Sequence, residues 1–139
     1  MSGKAFLDTN VLVYLFDKDS PAKQRRARAV LEAEGSSAAV STQVLQELYV
    51  TMTRKLGHPM PERDAEAAVR ELAALEVVPV DSLLVLSGIA RSRGDRLSLW
   101  DALVIEAALQ GGCGRLLTED LQDGRRFGSL RVENPFSGS

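Results

Sequence analysis

The stretch Ala5-Phe6-Leu7-Asp8-Thr9-Asn10-Val11-Leu12 opens with three apolar residues and halts at a carboxylate. An unbroken apolar run of that length fits a short strand covered on both faces, as in parallel sheets. Asp8 then stands at the strand's C-terminal end. The rest of the chain repeats this alternation of apolar run and helical pattern. Ser20-Pro21 supplies an N-cap and a first-turn proline, and the helix after it carries Ala27, Val30 and Leu31 on one face up to Gly35. Ala38 to Val40 reads as a second strand. From about Thr42, Val44, Leu45, Leu48, Met52 and Leu56 recur at helical spacing, closed by Gly57. Pro61 starts another helix, apolar at Ala68, Val69, Leu72 and Leu75. Val77-Val78-Pro79-Val80 is a third strand, and its proline puts it at an edge or a strand start. Leu83 to Arg93 is helical, with Gly94 as the break. Leu99 to Leu109 is apolar on most faces and predicts a buried helix, with Trp100 as a core anchor. Arg115-Leu116-Leu117 is a fourth strand, and Leu130-Arg131-Val132 is a short candidate fifth.

Strands alternating with helices imply a three-layer α/β/α domain around a short, mostly parallel sheet of four to five strands. The expected domain spans residues 1–136, with 137–139 as a flexible tail. Right-handed crossovers would align the strand C-termini along one edge, where such sheets bind ligands.

The bulk properties narrow the function. A chain of 139 residues suits one domain with a real core. Its 45% hydrophobic and 26% charged residues are an ordinary globular balance. Aromatics at 5% argue against a platform for stacking bases. A net charge of -2 excludes a domain that holds nucleic acid by overall positive charge. Any polyanion must be met by local arginines or a bound metal. Cys113 and His58 are the single cysteine and histidine, so no disulfide within the chain and no common Cys/His zinc site can form. Met1 to Asp8 lacks the long apolar region of a signal peptide, and no apolar stretch nears the ~20 residues that span a bilayer. A cytoplasmic location without membrane contact is expected.

Acids gather where the predicted fold would collect them. Asp8 ends strand one, and Thr118-Glu119-Asp120 ends strand four. Glu47 lies early in the helix after strand two, and Asp101 lies in the first turn of the buried helix. Each has a structural reading: Asp8 and Asp120 as caps or turn residues, Asp101 in the capping box Ser98-Leu99-Trp100-Asp101, Glu47 as a solvated helix residue. Together they resist it. Three and four residues from Glu47 stand Gln43, Val44, Val50 and Thr51; from Asp101, Leu97, Ser98, Val104 and Ile105. Neither acid has a local cation. Acids near a core need positive charge from elsewhere, and a shared divalent cation supplies it. Mg²⁺ and Mn²⁺ accept such oxygen ligands. A metal so held acidifies a bound water and polarises a phosphoryl oxygen, so no covalent nucleophile is needed.

At these residues the sequence resembles PIN-domain nucleases, and in particular the VapC toxins of toxin–antitoxin pairs. The matching pieces are Phe6 to Leu12, Gln46-Glu47-Leu48, Trp100-Asp101-Ala102-Leu103, Leu117-Thr118-Glu119-Asp120-Leu121 and the closing Asn134-Pro135-Phe136. They extend from Ala5 to Phe136. The resemblance implies an endoribonuclease that requires Mg²⁺, with Mn²⁺ as substitute, and leaves a 5′-phosphate and a 3′-hydroxyl. It implies a homodimer and a cognate antitoxin that blocks the site. By position, Asp8, Glu47, Asp101 and Asp120 are the four metal-binding acids, with Glu119 as an alternative to Asp120. Thr118 would orient them; Asn10 would add a hydrogen bond behind them or serve the turn.

Arg93 and Arg96 precede the Asp101 helix and are candidate RNA phosphate contacts. Helix-end or solvated roles are their structural reading, as for Arg54, Lys55, Arg125 and Arg126. Other classes fit less well. A phosphatase using Asp8 as nucleophile would carry a second Asp where Asn10 stands. A receiver-like domain would pair acids after strand one. A DNA nuclease, a non-toxin RNA-processing nuclease and a silent binding module share the scaffold.

Overall fold

The computed structural model describes residues 3–137. Its sheet has the order β3-β2-β1-β4-β6-β5, built from β1 (Ala5–Leu7), β2 (Ala39–Ser41), β3 (Glu76–Val78), β4 (Arg115–Leu117), β5 (Arg126–Phe127) and β6 (Leu130–Glu133). All neighbours are parallel except the β5–β6 hairpin. Helices α1 (Thr9–Val13), α2 (Pro21–Glu34), α3 (Thr42–Val50), α4 (Glu62–Leu72), α5 (Ser82–Asp95) and α6 (Leu99–Gln110) flank it. The expected α/β/α class is the observed one, with six strands in place of four to five. Two-residue β5 is too short to show a periodicity.

β1 lies in the middle of the sheet, which explains why Ala5, Phe6 and Leu7 are wholly buried. From β1 the chain proceeds one way to β2 and β3; β4 and β6 lie on its other side. The β1/β4 boundary is therefore the topological switch point, where crossovers diverge and leave a crevice. β3 runs over Glu76–Val78 rather than Val77–Val80, stopping ahead of Pro79, and it is the edge strand, one of the two places the proline allowed.

Several local expectations are corrected. Gly94 does not break α5, because one helical glycine costs only about 1 kcal/mol. The helix stops at Arg96, which adopts a left-handed cap with φ 56°. There the Ser92 carbonyl accepts from the Arg96 and Leu97 amides, and the Ser92 hydroxyl donates to the Leu97 carbonyl at 2.6 Å. α3 gives way to a π turn over Thr51–Lys55 before Gly57 is reached. Ser20 makes no side-chain cap bond, although Pro21 does open α2. Trp100 is no core anchor: it is 62% exposed, at the first turn of a helix whose core face begins at Ala102. Of the expected tail, Ser137 turns back so that its amide donates to the Asn134 carbonyl, and residues 138–139 lie outside the described residues. Among the described residues no helix is long and apolar enough to cross a membrane.

α6 packs on β2, β3 and β4, and α5 packs on α6. That contact is close at Gly88, where an added Cβ would stand 2.6 Å from Leu103 Cδ2. We expect Gly88→Val to cost about 1–3 kcal/mol through overpacking. In a thermal melt this lowers Tm by several degrees; an unchanged melt would mean that the Leu103 side chain turns aside without cost.

Candidate active site

The site starts from strand register. Leu7 lies opposite Leu117 in the β1–β4 ladder, so the next residues, Asp8 and Thr118, emerge side by side. The Asp8 amide extends the ladder to the Leu117 carbonyl at 3.1 Å. Both side chains are buried, with Asp8 7% and Thr118 0% exposed. The Thr118 hydroxyl donates to Asp8 Oδ2 at 2.8 Å. It accepts from Asn10 Nδ2 at 3.0 Å and from the Asp120 amide at 3.1 Å. One donor and two acceptor sites exhaust a hydroxyl, so its hydrogen points at Asp8. Asn10 Oδ1 accepts from the Glu119 amide at 3.3 Å, which also orients that amide group.

Thr9 joins two acids. Its amide donates to Asp8 Oδ1 at 2.7 Å, and its hydroxyl donates to Glu47 Oε1 at 2.7 Å. The packing of α1 on α3 makes this bridge possible. Glu47 Oε2 faces Gln43 Nε2 at 3.4 Å, one helical turn back on α3. Ser98 caps α6 by accepting from the Asp101 amide at 3.1 Å, so half of the predicted capping box is present. Asp8 likewise is the N-cap residue of α1. Structural and chemical readings of these two acids hold together, because a cap uses only part of the carboxylate or only its backbone.

Burial pushes Asp8 up to about 7 from its ordinary 3.8. Bonds from Thr118 and Thr9 oppose that rise, and the charges of Asp120 and Glu47 add to it. Asp101 is also raised, first by burial; a side-chain bond with Ser98 opposes the rise, and the same two charges add to it. The four acids thus share one electrostatic environment. Among the described residues no Lys, Arg or His forms an ion pair with any of them. Nor, among those residues, do three His, Cys, Asp or Glu side chains stand close enough to cage an ion unaided. A donor set of hard oxygens without countercharge suits a divalent cation that keeps several waters, as Mg²⁺ does.

Glu119 and Asp120 part company. Glu119 pairs with Lys23 at 3.0 Å and accepts from the Tyr14 hydroxyl at 2.6 Å. Asp120 lines a cavity of about 550 Å³ together with Thr9, Asn10 and Glu47. Lys55 is the basic residue of that lining among the described residues. Arg93 and Arg96 are exposed and outside it.

A family model described as PIN domain matches residues 5–125. The chain belongs to the PIN domain family. Ribonuclease VapC24 of Mycobacterium tuberculosis is 30% identical over 141 residues, covering 94% of this chain and 96% of the relative. Among solved structures, a toxin–antitoxin complex from Klebsiella pneumoniae superposes with a TM-score of 0.72 at 21% identity, covering 95% of this chain and 98% of that one. VapC20 of Mycobacterium tuberculosis, described as a sarcin-ricin loop cleaving toxin, superposes with a TM-score of 0.63 at 22% identity, covering 81% and 86%.

Thr9 and Gln43 join this PIN-domain site without a role that the sequence announces, and Lys55, read from sequence as a helix-end or solvated residue, lines its cavity. Thr9 was visible as the neighbour of Asp8, but its reach to Glu47 depends on helix packing. Gln43 was visible only as the residue four before Glu47.

The Asp8 shift has a consequence for stability in chelator. Below the unfolded value near 3.8 both states are protonated and no penalty exists; it grows as pH rises and is complete above the folded value of about 7. Asp8→Asn removes the charge. We expect the variant to be more stable at pH 8 by about 1 kcal/mol or more, a few degrees in Tm. The difference should shrink as pH falls from about 7 towards 4. A pH-independent difference in melts would show that burial does not oppose the Asp8 charge.

Proposed function

We propose that this PIN-domain nuclease is a Mg²⁺- or Mn²⁺-dependent endoribonuclease and the toxin of a toxin–antitoxin pair. The observation that carries the reading is Asp8: a buried carboxylate at the switch point, oriented by Thr118 and Thr9, beside the uncompensated charges of Glu47 and Asp120. Asp8, Glu47, Asp101 and Asp120 would hold the cation, directly or through its waters. When bound, it supplies a Lewis acid for the phosphodiester and an acidified water.

The chain's own groups do the rest. Thr118 keeps Asp8 Oδ2 pointed by donating to it. Thr9 keeps Asp8 and Glu47 in a common arrangement. These neutral donors orient the acids and leave their negative charge available. The raised proton affinity of Asp8 and Asp101 makes cation binding compete with protons, so activity should fall on acidification. Lys55, in the cavity lining, would meet a phosphate of the bound strand. Arg93 and Arg96 remain candidates for more distant phosphates.

RNA as substrate and an antitoxin as partner are supported by the relative named a ribonuclease and by the neighbour solved as a toxin–antitoxin complex. An apolar groove of Leu45, Tyr49, Val50 and Val69 adjoins the acid cavity through Val50, and would let a partner segment cover both. Exposed Leu83, Leu86 and Ile89 along α5 offer a face for the homodimer.

Cleavage of RNA should stop in excess chelator and return with Mg²⁺ or Mn²⁺. Asp8→Asn, Glu47→Gln, Asp101→Asn and Asp120→Asn should each reduce it to background. Glu119→Gln should leave most of it, since that side chain is committed to Lys23 and Tyr14. Undiminished cleavage in chelator would overturn the metal mechanism. Loss of activity in Glu119→Gln with retention in Asp120→Asn would exchange the two residues.

A further inference from the structure

Gln43 is a polar side chain in a place that favours an apolar one. It is only 7% exposed, near the start of α3 and beside the fully buried Val44. Its amide nitrogen has two hydrogens, and both are used. One faces Glu47 Oε2 and the other the Trp100 carbonyl in the first turn of α6, each at 3.4 Å. Its carbonyl oxygen, Oε1, is buried and has no hydrogen-bond partner. Turning the amide over would not help. The oxygen would then face a carboxylate and a carbonyl, and the nitrogen would be orphaned.

A buried acceptor without a partner is costly, and buried polar atoms of this kind are few in folded proteins. An unbranched apolar residue of similar length would fill the same space without that cost. At 3.4 Å both contacts of the Gln43 amide lie beyond the usual hydrogen-bond range. What they provide is a link between elements. Glu47 sits one turn along α3 from Gln43, and Asp101 follows Trp100 on α6. A single amide thus spans from one acid to the backbone beside another.

We propose that Gln43 is a positioning residue that ties Glu47 to the first turn of α6 and so sets the separation between Glu47 and Asp101. It is buried outside the acid cavity, and its amide does not titrate. With Thr9 on Oε1 and Gln43 on Oε2, both oxygens of Glu47 are held by neutral donors. The orphaned Oε1 atom is the stability given up for that arrangement. The inference rests on the reading of these acids as the cation site.

Gln43→Met tests it in chelator and by titration with Mn²⁺ alone. Removing the orphaned atom should keep or raise the Tm of the metal-free protein. Loosening Glu47 should weaken Mn²⁺ binding about 10- to 100-fold in calorimetry, the usual effect of losing a group that orients a ligand. Gln43→Asn, which keeps the amide but shortens its reach, serves if the methionine variant fails to fold, and should lose affinity likewise. A folded variant that binds Mn²⁺ as tightly as the native protein, with or without a drop in Tm, overturns the positioning role. Native protein that binds no Mn²⁺ overturns the cation site itself, a separate result read from the native titration alone.

Discussion

The bond from the Thr118 hydroxyl to Asp8 is the constraint on which the site depends. It exists because β1 and β4 are paired in parallel with Leu7 opposite Leu117. A carboxylate as buried as Asp8 would be strongly disfavoured without donors. Thr118 gives its one hydrogen to Asp8 because Asn10 and the Asp120 amide already occupy its lone pairs. The same hydroxyl therefore places the Asp120 loop, the start of α1 and the end of β1 relative to one another.

Neutral groups do the positioning throughout. Thr9, Gln43, Thr118 and Asn10 hold carboxylates or the loop that bears one, and none of them carries charge. Lysine or arginine in those places would pair with the acids and stabilise the fold, but would also cancel the field that attracts a cation. The chain uses cations elsewhere. Arg115 makes two 2.9 Å bonds to Glu34 at the start of β4, and Arg91 ties α5 to α6 through Glu106 at 2.8 Å. Ion pairs tie these scaffold elements together, whereas Asp8, Glu47, Asp101 and Asp120 form none among the described residues.

Glu119 and Asp120 show how finely that division is drawn. They are adjacent and chemically alike. Glu119 is turned towards Lys23 and Tyr14, in a cluster where Tyr14 also packs edge-on against Phe136 at 4.9 Å. Lys23 of α2 also lies over the Phe136 ring at 5.6 Å, and Arg26 of α2 donates to the Pro135 carbonyl at 2.7 Å. Asp120 is left exposed and lines the cavity.

The sequence by itself determined the alternation of strands and helices, the interruption of β3 at Pro79 and the collection of Asp8, Glu47, Asp101 and Asp120 at one side of the sheet. Those follow from periodicity, from a proline that cannot donate a ladder bond, and from the geometry of right-handed crossovers. The extent of α5 was not legible, because a helical glycine is tolerated and Ser92 supplies an end at Arg96 that spacing does not announce. The exposure of Trp100 was not legible either, since an apolar helix does not say which way its first turn projects. Only the tertiary structure decided which of two neighbouring acids faces the cavity, that Thr9 joins Asp8 to Glu47, and that Gln43 reaches α6. Each is a contact between residues far apart in the chain. Such contacts are set by register and helix packing, to which local periodicity is blind.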